Sequence, residues 1–300
     1  MNYPNPSKSI PAISVACKYF SSIMTVGHIR GVALLLSTFF LICASATVPA
    51  QTQLGADIDG ESAEDGSGTV SLSSDGSRLA IGAPGNDGNG TGSGHVRVYQ
   101  WSGTAWTQLG TDIDGEAAGD DSGSAVSLSS DGNRLAIGAT GNDGNGNLSG
   151  HVRVYEWSGM SWTQLGSDID GEAAGDEVGL TVSLSSDGNR LAIGAPYNNA
   201  NSGHVRVFEW SDSTWTQLGT DIDAEAAADY SGFSVSLSSD GNRLANGAIW
   251  GSYTRVYLWS GTAWEQLGAD IDGEQAGDQS GRSVSLSDDG NRLAVGAPLN

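Results

Sequence analysis

From residue 51 onward the chain copies itself. The stretch DIDGEAAGDDSG (112–123) recurs as DIDGESAEDGSG (57–68), DIDGEAAGDEVG (168–179), DIDAEAAADYSG (221–232) and DIDGEQAGDQSG (270–281). The starts lie 55, 56, 53 and 49 residues apart, in the range of propeller-blade repeats. A period of this length constrains the fold more than any other feature. Each unit must be one supersecondary piece that buries its faces against its neighbours. In the second copy Val126 and Leu128 alternate with serines, and Asp131-Gly132 supplies the positive-φ residues of a hairpin turn. HVRVYEW (151–157) alternates as well, with Val152 and Val154 opposite Arg153, Tyr155 and Trp157. A second turn, SGMS, leads to WTQLG. The reading is four short antiparallel strands per repeat with no helical period. Stacked radially, such sheets form an all-β propeller, here four complete blades and a partial fifth over residues 51–300.

The pattern SG-x-x-VSLS…RLAIGAP…GHVRVY resembles the FG-GAP repeats of integrin α-chain propellers. Gly82-Ala83-Pro84, Gly194-Ala195-Pro196 and Gly296-Ala297-Pro298 stand for the GAP element, with Gly138-Ala139-Thr140 and Gly247-Ala248-Ile249 as weaker copies. The FG half is reduced to Ser67-Gly68, Ser122-Gly123, Val178-Gly179, Ser231-Gly232 and Ser280-Gly281. SSDGNRLANGA is also similar to the second strand of WD-repeat blades. The resemblance covers residues 51–300 and implies an interaction or adhesion module rather than an enzyme. It also implies calcium, held in that family by a longer loop between the first two strands. Here that loop is SSDGN, so no ligand positions are inherited. The fifth copy stops at GAPLN after its second strand, and QTQLGAD (51–57) stands before the first as an unpartnered fourth strand. Such an ending reads as part of a longer repeat array rather than an irregular five-bladed ring.

The acidic stretch is the candidate metal site. Its carboxylates are Asp57, Asp59, Glu61 and Asp65 in the first copy, and Asp112, Asp114, Glu116 and Asp120 in the second. The third copy carries Asp168, Asp170, Glu172 and Asp176, and the fourth Asp221, Asp223, Glu225 and Asp229. The fifth carries Asp270, Asp272, Glu274 and Asp278. These offsets match a helix–loop–helix calcium site, yet Ala117 stands where its glycine is needed and Gly123 where its bidentate glutamate is needed. Nine of the ten arginines beyond residue 50 occupy two repeated places. Arg78, Arg134, Arg190, Arg243 and Arg292 follow the Asp-Gly turn, and Arg97, Arg153, Arg206 and Arg255 lie in the third strand. They are too few to neutralise the acids, whose repulsion a hard cation would relieve. Calcium beside these turns is one expectation; turn caps paired with arginine is the other.

Charge excludes several partners. Residues 51–300 carry all 35 Asp and Glu against 10 Arg and no Lys. A surface of that sign repels nucleic acid and anionic lipid. The first 50 residues contain no acid and an apolar run, GVALLLSTFFLIC (31–43), of signal-peptide length. Residues 1–46 read as a signal peptide, with Met24 an alternative start and cleavage near 46 or 50. No stable membrane span is expected after cleavage, and the destination is secreted or cell-surface. Both cysteines, Cys17 and Cys43, fall in this leader, so the remainder has no thiol chemistry.

A residue repeated in every blade is a poor catalytic candidate, because symmetry sends it to several equivalent places. His95, His151 and His204 open the same strand and read as packing residues. No G-x-S-x-G elbow is present. The expectation is a non-catalytic module; a carbohydrate-binding or glycan-cleaving propeller and a structural matrix repeat are the alternatives. Candidate ligand contacts lie where the repeat breaks. Eight of nine tryptophans form five-apart pairs, whereas Trp250 matches nothing, and Tyr230, Phe233 and Tyr253 are peculiar to the fourth copy. These aromatics are the expected contacts for a protein or glycan ligand.

Overall fold

The computed structural model describes residues 52–300. The signal-peptide reading of residues 1–46 lies outside them. In the first blade β1 (Thr69–Leu72), β2 (Arg78–Ala83), β3 (His95–Trp101) and β4 (Trp106–Gln108) pair antiparallel in chain order. The second blade repeats this with β6 (Ser122–Leu128), β7 (Arg134–Ala139), β8 (His151–Trp157) and β9 (Trp162–Gln164). The third has β11 (Thr181–Leu184), β12 (Arg190–Ala195), β13 (His204–Ser211) and β14 (Thr214–Gln217). The fourth has β16 (Ser231–Leu237), β17 (Arg243–Ala248), β18 (Tyr253–Trp259) and β19 (Trp264–Gln266). A fifth sheet holds only β21 (Ser283–Leu286) and β22 (Leu293–Gly296). The expected propeller blades are therefore present.

One element was not foreseen. The Ile-Asp of each DID run is a two-residue strand that pairs with the start of the third strand: β5 (Ile113–Asp114) on β3, β10 (Ile169–Asp170) on β8, β15 (Ile222–Asp223) on β13 and β20 (Ile271–Asp272) on β18. The register sets His95 opposite Asp114 and Val96 opposite Ile113. The acidic stretch thus begins as sheet edge before it becomes a turn.

The core lies between blades. Ala80, Val96 and Val98 of the first pack against Val126, Leu128, Leu135 and Ile137 of the second. The same layers meet at the next two junctions, with Val152 and Val154 on Leu191 and Ile193, then Val205 and Val207 on Leu237 and Leu244. Each such valine, leucine or isoleucine contributes about 1.5–3 kcal/mol on burial, which a lone four-stranded sheet could not obtain on both faces. The tryptophan pairs belong to these junctions. Trp162 Nε1 donates to Leu109 O at 3.0 Å, and Trp215 Nε1 to Leu165 O at 2.9 Å.

The glycines of the GAP element have a specific use. A Cβ on Gly82 would lie 2.2 Å from Gly123 O, and one on Gly138 2.0 Å from Gly179 O. The glycine of one repeat's Gly-Ala therefore meets the glycine of the next repeat's opening dipeptide backbone to backbone. Only a residue without Cβ permits that approach.

Candidate functional site

The acids of one copy do different work in different places. The first aspartate takes a glutamine four residues upstream: Gln108 Nε2 donates to Asp112 Oδ1 at 2.5 Å and Gln164 Nε2 to Asp168 Oδ1 at 2.6 Å. Arg153 grips Asp168 through Nε and Nη2 at 3.1 and 3.0 Å, and Arg255 grips Asp270 at 2.8 Å through both nitrogens. Burial opposes ionisation of Asp168, but hydrogen bonds from Arg153 and Gln164 hold it below the usual carboxylate range. The second residue of this kind offers its backbone: Asp59 O and Asp170 O accept from Arg97 and Arg206. The glutamates pair with third-strand arginines, Glu61 with Arg97, Glu116 with Arg153, Glu172 with Arg206 and Glu225 with Arg255. The last aspartate is a buried cap. Asp120, 4% exposed, accepts the N–H groups of Glu116 and Ala117 at 3.0 and 2.9 Å, and Asp65, Asp176 and Asp278 serve equivalent turns.

The four acids of a copy thus do not converge on one point. Three triads instead draw on successive copies: Glu61, His95 and Asp112; Glu116, His151 and Asp168; Glu172, His204 and Asp221. Each sets an imidazole and two carboxylates within 4.8 Å of one another. A nitrogen donor suits a borderline transition ion better than calcium, which takes oxygen ligands. Each triad already shares its glutamate with an arginine, so a guanidinium occupies the cation's role. The histidines are buried strand residues; burial pushes His151 and His204 down, against the pull of Asp168 and Asp221. In the fourth copy Tyr253 takes this place, 5% exposed, and its hydroxyl donates to Asp229 Oδ2 at 3.1 Å.

The odd aromatics divide accordingly. Tyr253 is interior and Phe233 lies under the guanidinium of Arg282. Tyr230 meets Tyr197 edge-on at 5.5 Å. Only Trp250 of the four is largely exposed, at 54%, and its backbone N–H donates to Asp229 O. The loops at 86–94 and 142–150 are tied to the acidic stretch that follows: Asn89 Nδ2 donates to Gly115 O and Glu116 O, and Asn145 Nδ2 to Gly171 O.

At the end carrying the Asp-Gly hairpins, the molecule has a groove of about 570 Å³ lined by Arg78, Asp131, Asn133, Arg134, Glu156, Trp157 and Asp187. Arg78 Nη1 donates to Gly132 O at 2.9 Å and Asn133 Oδ1 at 2.6 Å, which pins its guanidinium across the junction of the first two blades. Arg134 repeats this toward the third blade and donates through Nε to Glu156 Oε1 at 3.2 Å. Asp131 and Asp187 are committed to their turns. Burial opposes their ionisation, yet hydrogen bonds from Ser129 and Asn133, and from Ser185 and Asn189, keep both below the ordinary range. Glu156 has one partner and a side chain 48% exposed. Indole, guanidinium and carboxylate so placed can hold a hydroxylated ring and activate a water beside it. Sequence reasoning did not single out Glu156. The available signal was that its register position varies, being Gln100, Glu156, Glu209 and Leu258 in the four complete copies.

No protein-family model and no curated protein matches the sequence. Solved structures share the fold. A protein of Bacteroides uniformis assigned as a 6-phosphogluconolactonase matches at TM-score 0.54 and 11% identity, over 76% of this chain and 63% of that one. The periplasmic gluconolactonase of Pseudomonas aeruginosa matches at TM-score 0.54 and 18% identity, over 76% and 64%. A Lactobacillus plantarum protein matches at 0.53 and 16%, over 76% and 62%. The chain spans less than two thirds of the length of these proteins. Two of them are named for an enzymatic reaction, which corrects the expectation of a non-catalytic adhesion module. The symmetry argument behind that expectation overlooked positions such as Glu156 at which the copies differ. Among the described residues no helix is long and apolar enough to cross a membrane.

Proposed function

We propose that this chain is the repeat region of a lactone-hydrolysing propeller, with the groove around Glu156 as the place where the ring is opened. The observation that carries the reading is the groove itself, where one lightly engaged carboxylate stands beside two pinned guanidinium groups and the Trp157 indole. The lactonases of similar fold supply the reaction class. Glu156 takes a proton from a water, the water oxygen attacks the lactone carbonyl carbon, and the ring C–O bond breaks. The proton passes to the departing ring oxygen, leaving a hydroxyl and a carboxylic acid, and the acid releases its remaining proton to solvent to become the carboxylate. The Arg134 guanidinium stabilises the negative charge that develops on the carbonyl oxygen. Charges on the groove wall nearly cancel, which favours a neutral sugar lactone such as glucono-δ-lactone. Export rests on the apolar leader, and kinship with FG-GAP repeats rests on the Gly-Ala-Pro element.

The test is a pH-stat assay of the full chain on glucono-δ-lactone, corrected for spontaneous ring opening. The reading expects acid release that scales with protein concentration and saturates with substrate. Acid release no faster than the buffer alone, at any protein concentration, overturns it.

A further inference from the structure

The tenth residue of the acidic stretch is Gly66, Asp121, Glu177, Tyr230 and Gln279 in the five copies, different in each. The backbone under it does not change. Its φ is +65°, +54°, +47°, +56° and +58° in turn, the left-handed region that glycine enters without strain. The N–H of Asp121 donates to Gly92 O, that of Glu177 to Leu148 O and that of Tyr230 to Asn201 O, each at 3.0 Å. Those acceptors lie in the loop between the second and third strands of the preceding blade. Glycine satisfies this position, as Gly66 shows, so the three larger side chains hold a strained backbone that the fold does not ask of them.

The position precedes the first strand of each blade, at the end away from the Asp-Gly hairpins and the Glu156 groove. First strands stand side by side, with the Leu128 N–H on Ser71 Oγ and the Leu184 N–H on Ser127 Oγ, which brings the variable residues of successive copies into one row. Burial and neighbouring charge push the Asp121 and Glu177 carboxyls up, Asp120 acting on Asp121 and Asp121 on Glu177. Burial and the Glu177 charge do the same to the Tyr197 hydroxyl. Tyr197 in turn meets Tyr230, the rings 5.5 Å apart and at 82° to each other, like two walls of a corner. Among the described residues no arginine and no hydrogen-bond donor holds the Asp121 or Glu177 carboxylate, in contrast to Asp120 and Asp168.

Two half-buried carboxylates side by side call for a cation. Calcium takes about six to eight oxygens, more than this pair supplies, whereas the face of a tyrosine ring attracts an organic cation. We infer that Asp121, Glu177, Tyr197 and Tyr230 form a binding site for an alkylammonium ion, its ammonium between the carboxylates and its chain on the tyrosine rings. The site is separate from the groove around Glu156 and does not depend on the reaction assigned there.

Titration calorimetry of the full chain with pentylammonium chloride tests this, with n-pentanol as the uncharged probe. The ammonium is expected to bind saturably and the alcohol at least about tenfold more weakly. Asp121→Gly and Glu177→Gly copy the first blade, so each is expected to keep or raise the melting midpoint while weakening binding at least about tenfold. Tyr230→Gly is expected to weaken it about two- to fivefold. Glu265→Gln, at an exposed acid on β19, removes the same charge and is expected to leave binding unchanged. No saturable heat, equal binding of the alcohol, or equal weakening by Glu265→Gln overturns the inference. A midpoint lowered by either acid-to-glycine substitution also overturns it, because the side chains would then serve the fold.

Discussion

Asp120 shows how a carboxylate placed like a metal ligand becomes a turn cap. Its side chain is buried and closes two backbone N–H groups that no other acceptor reaches. Asp120→Ala leaves both donors unpaired, and chemical denaturation is expected to show a loss of about 1–3 kcal/mol. Glu116→Gln, whose side chain is half exposed beside Arg153 and remains able to accept a hydrogen bond, is expected to cost well under about 1 kcal/mol; the reverse order would return the acids to a ligand role. The neighbouring imidazoles carry a second prediction. Burial lowers His151 and His204 in the folded chain, whereas the unfolded chain takes up protons near ~6.5. Stability is therefore full above that value and drains as pH falls through the lower folded values. Melting temperature is expected to drop between pH 7 and 5, and His151→Tyr, which copies what Tyr253 does in the fourth blade, is expected to flatten the drop. A variant that keeps the wild-type slope would place the titration elsewhere.

At the scale of the element, what the repeat determined was legible and what one junction determined was not. Alternation in VSLS and HVRVYEW, with a turn glycine at Gly132 whose φ is +66°, forecast the strands and their order. The two-residue strands such as β5 escaped notice because Ile-Asp is too short to show a period. Only the finished sheet reveals that it extends an edge. The triads escaped because each joins residues from two copies and a strand between them. The glycines of the GAP element gain a physical reason from the same packing. Gly138→Ala drives a Cβ into the Gly179 carbonyl, a backbone atom that cannot swing aside, and should cost about 3 kcal/mol. Gly159→Ala meets open space, although its φ is +92°, and should cost about 1–2 kcal/mol. Thermal denaturation of the two variants checks the difference, and equal losses would deny the close approach. Arginine already fills the cation's role beside the triad glutamates, so calcium added after EDTA is expected to leave the melting midpoint unmoved; a saturable rise would contradict that.

For the whole molecule, repetition is at once the source of stability and the thing that hides function. Every junction repeats the same hydrogen bonds and the same apolar layers, so most side chains that recur are explained by the junction alone. Chemistry is then to be sought where copies differ under the same backbone. Gln100, Glu156, Glu209 and Leu258 occupy one register position, and Glu156 is the one that lines the large groove. The nearest equivalent, Glu209, pairs with Arg190 in the same way at 3.1 Å but does not line that groove. The most direct measurement is kcat/KM for glucono-δ-lactone in Glu156→Gln beside Glu209→Gln. The account predicts a fall of about 100-fold or more for Glu156→Gln and a change within about twofold for Glu209→Gln, which lies outside the groove. Equal effects of the two substitutions, or none from either, would contradict it.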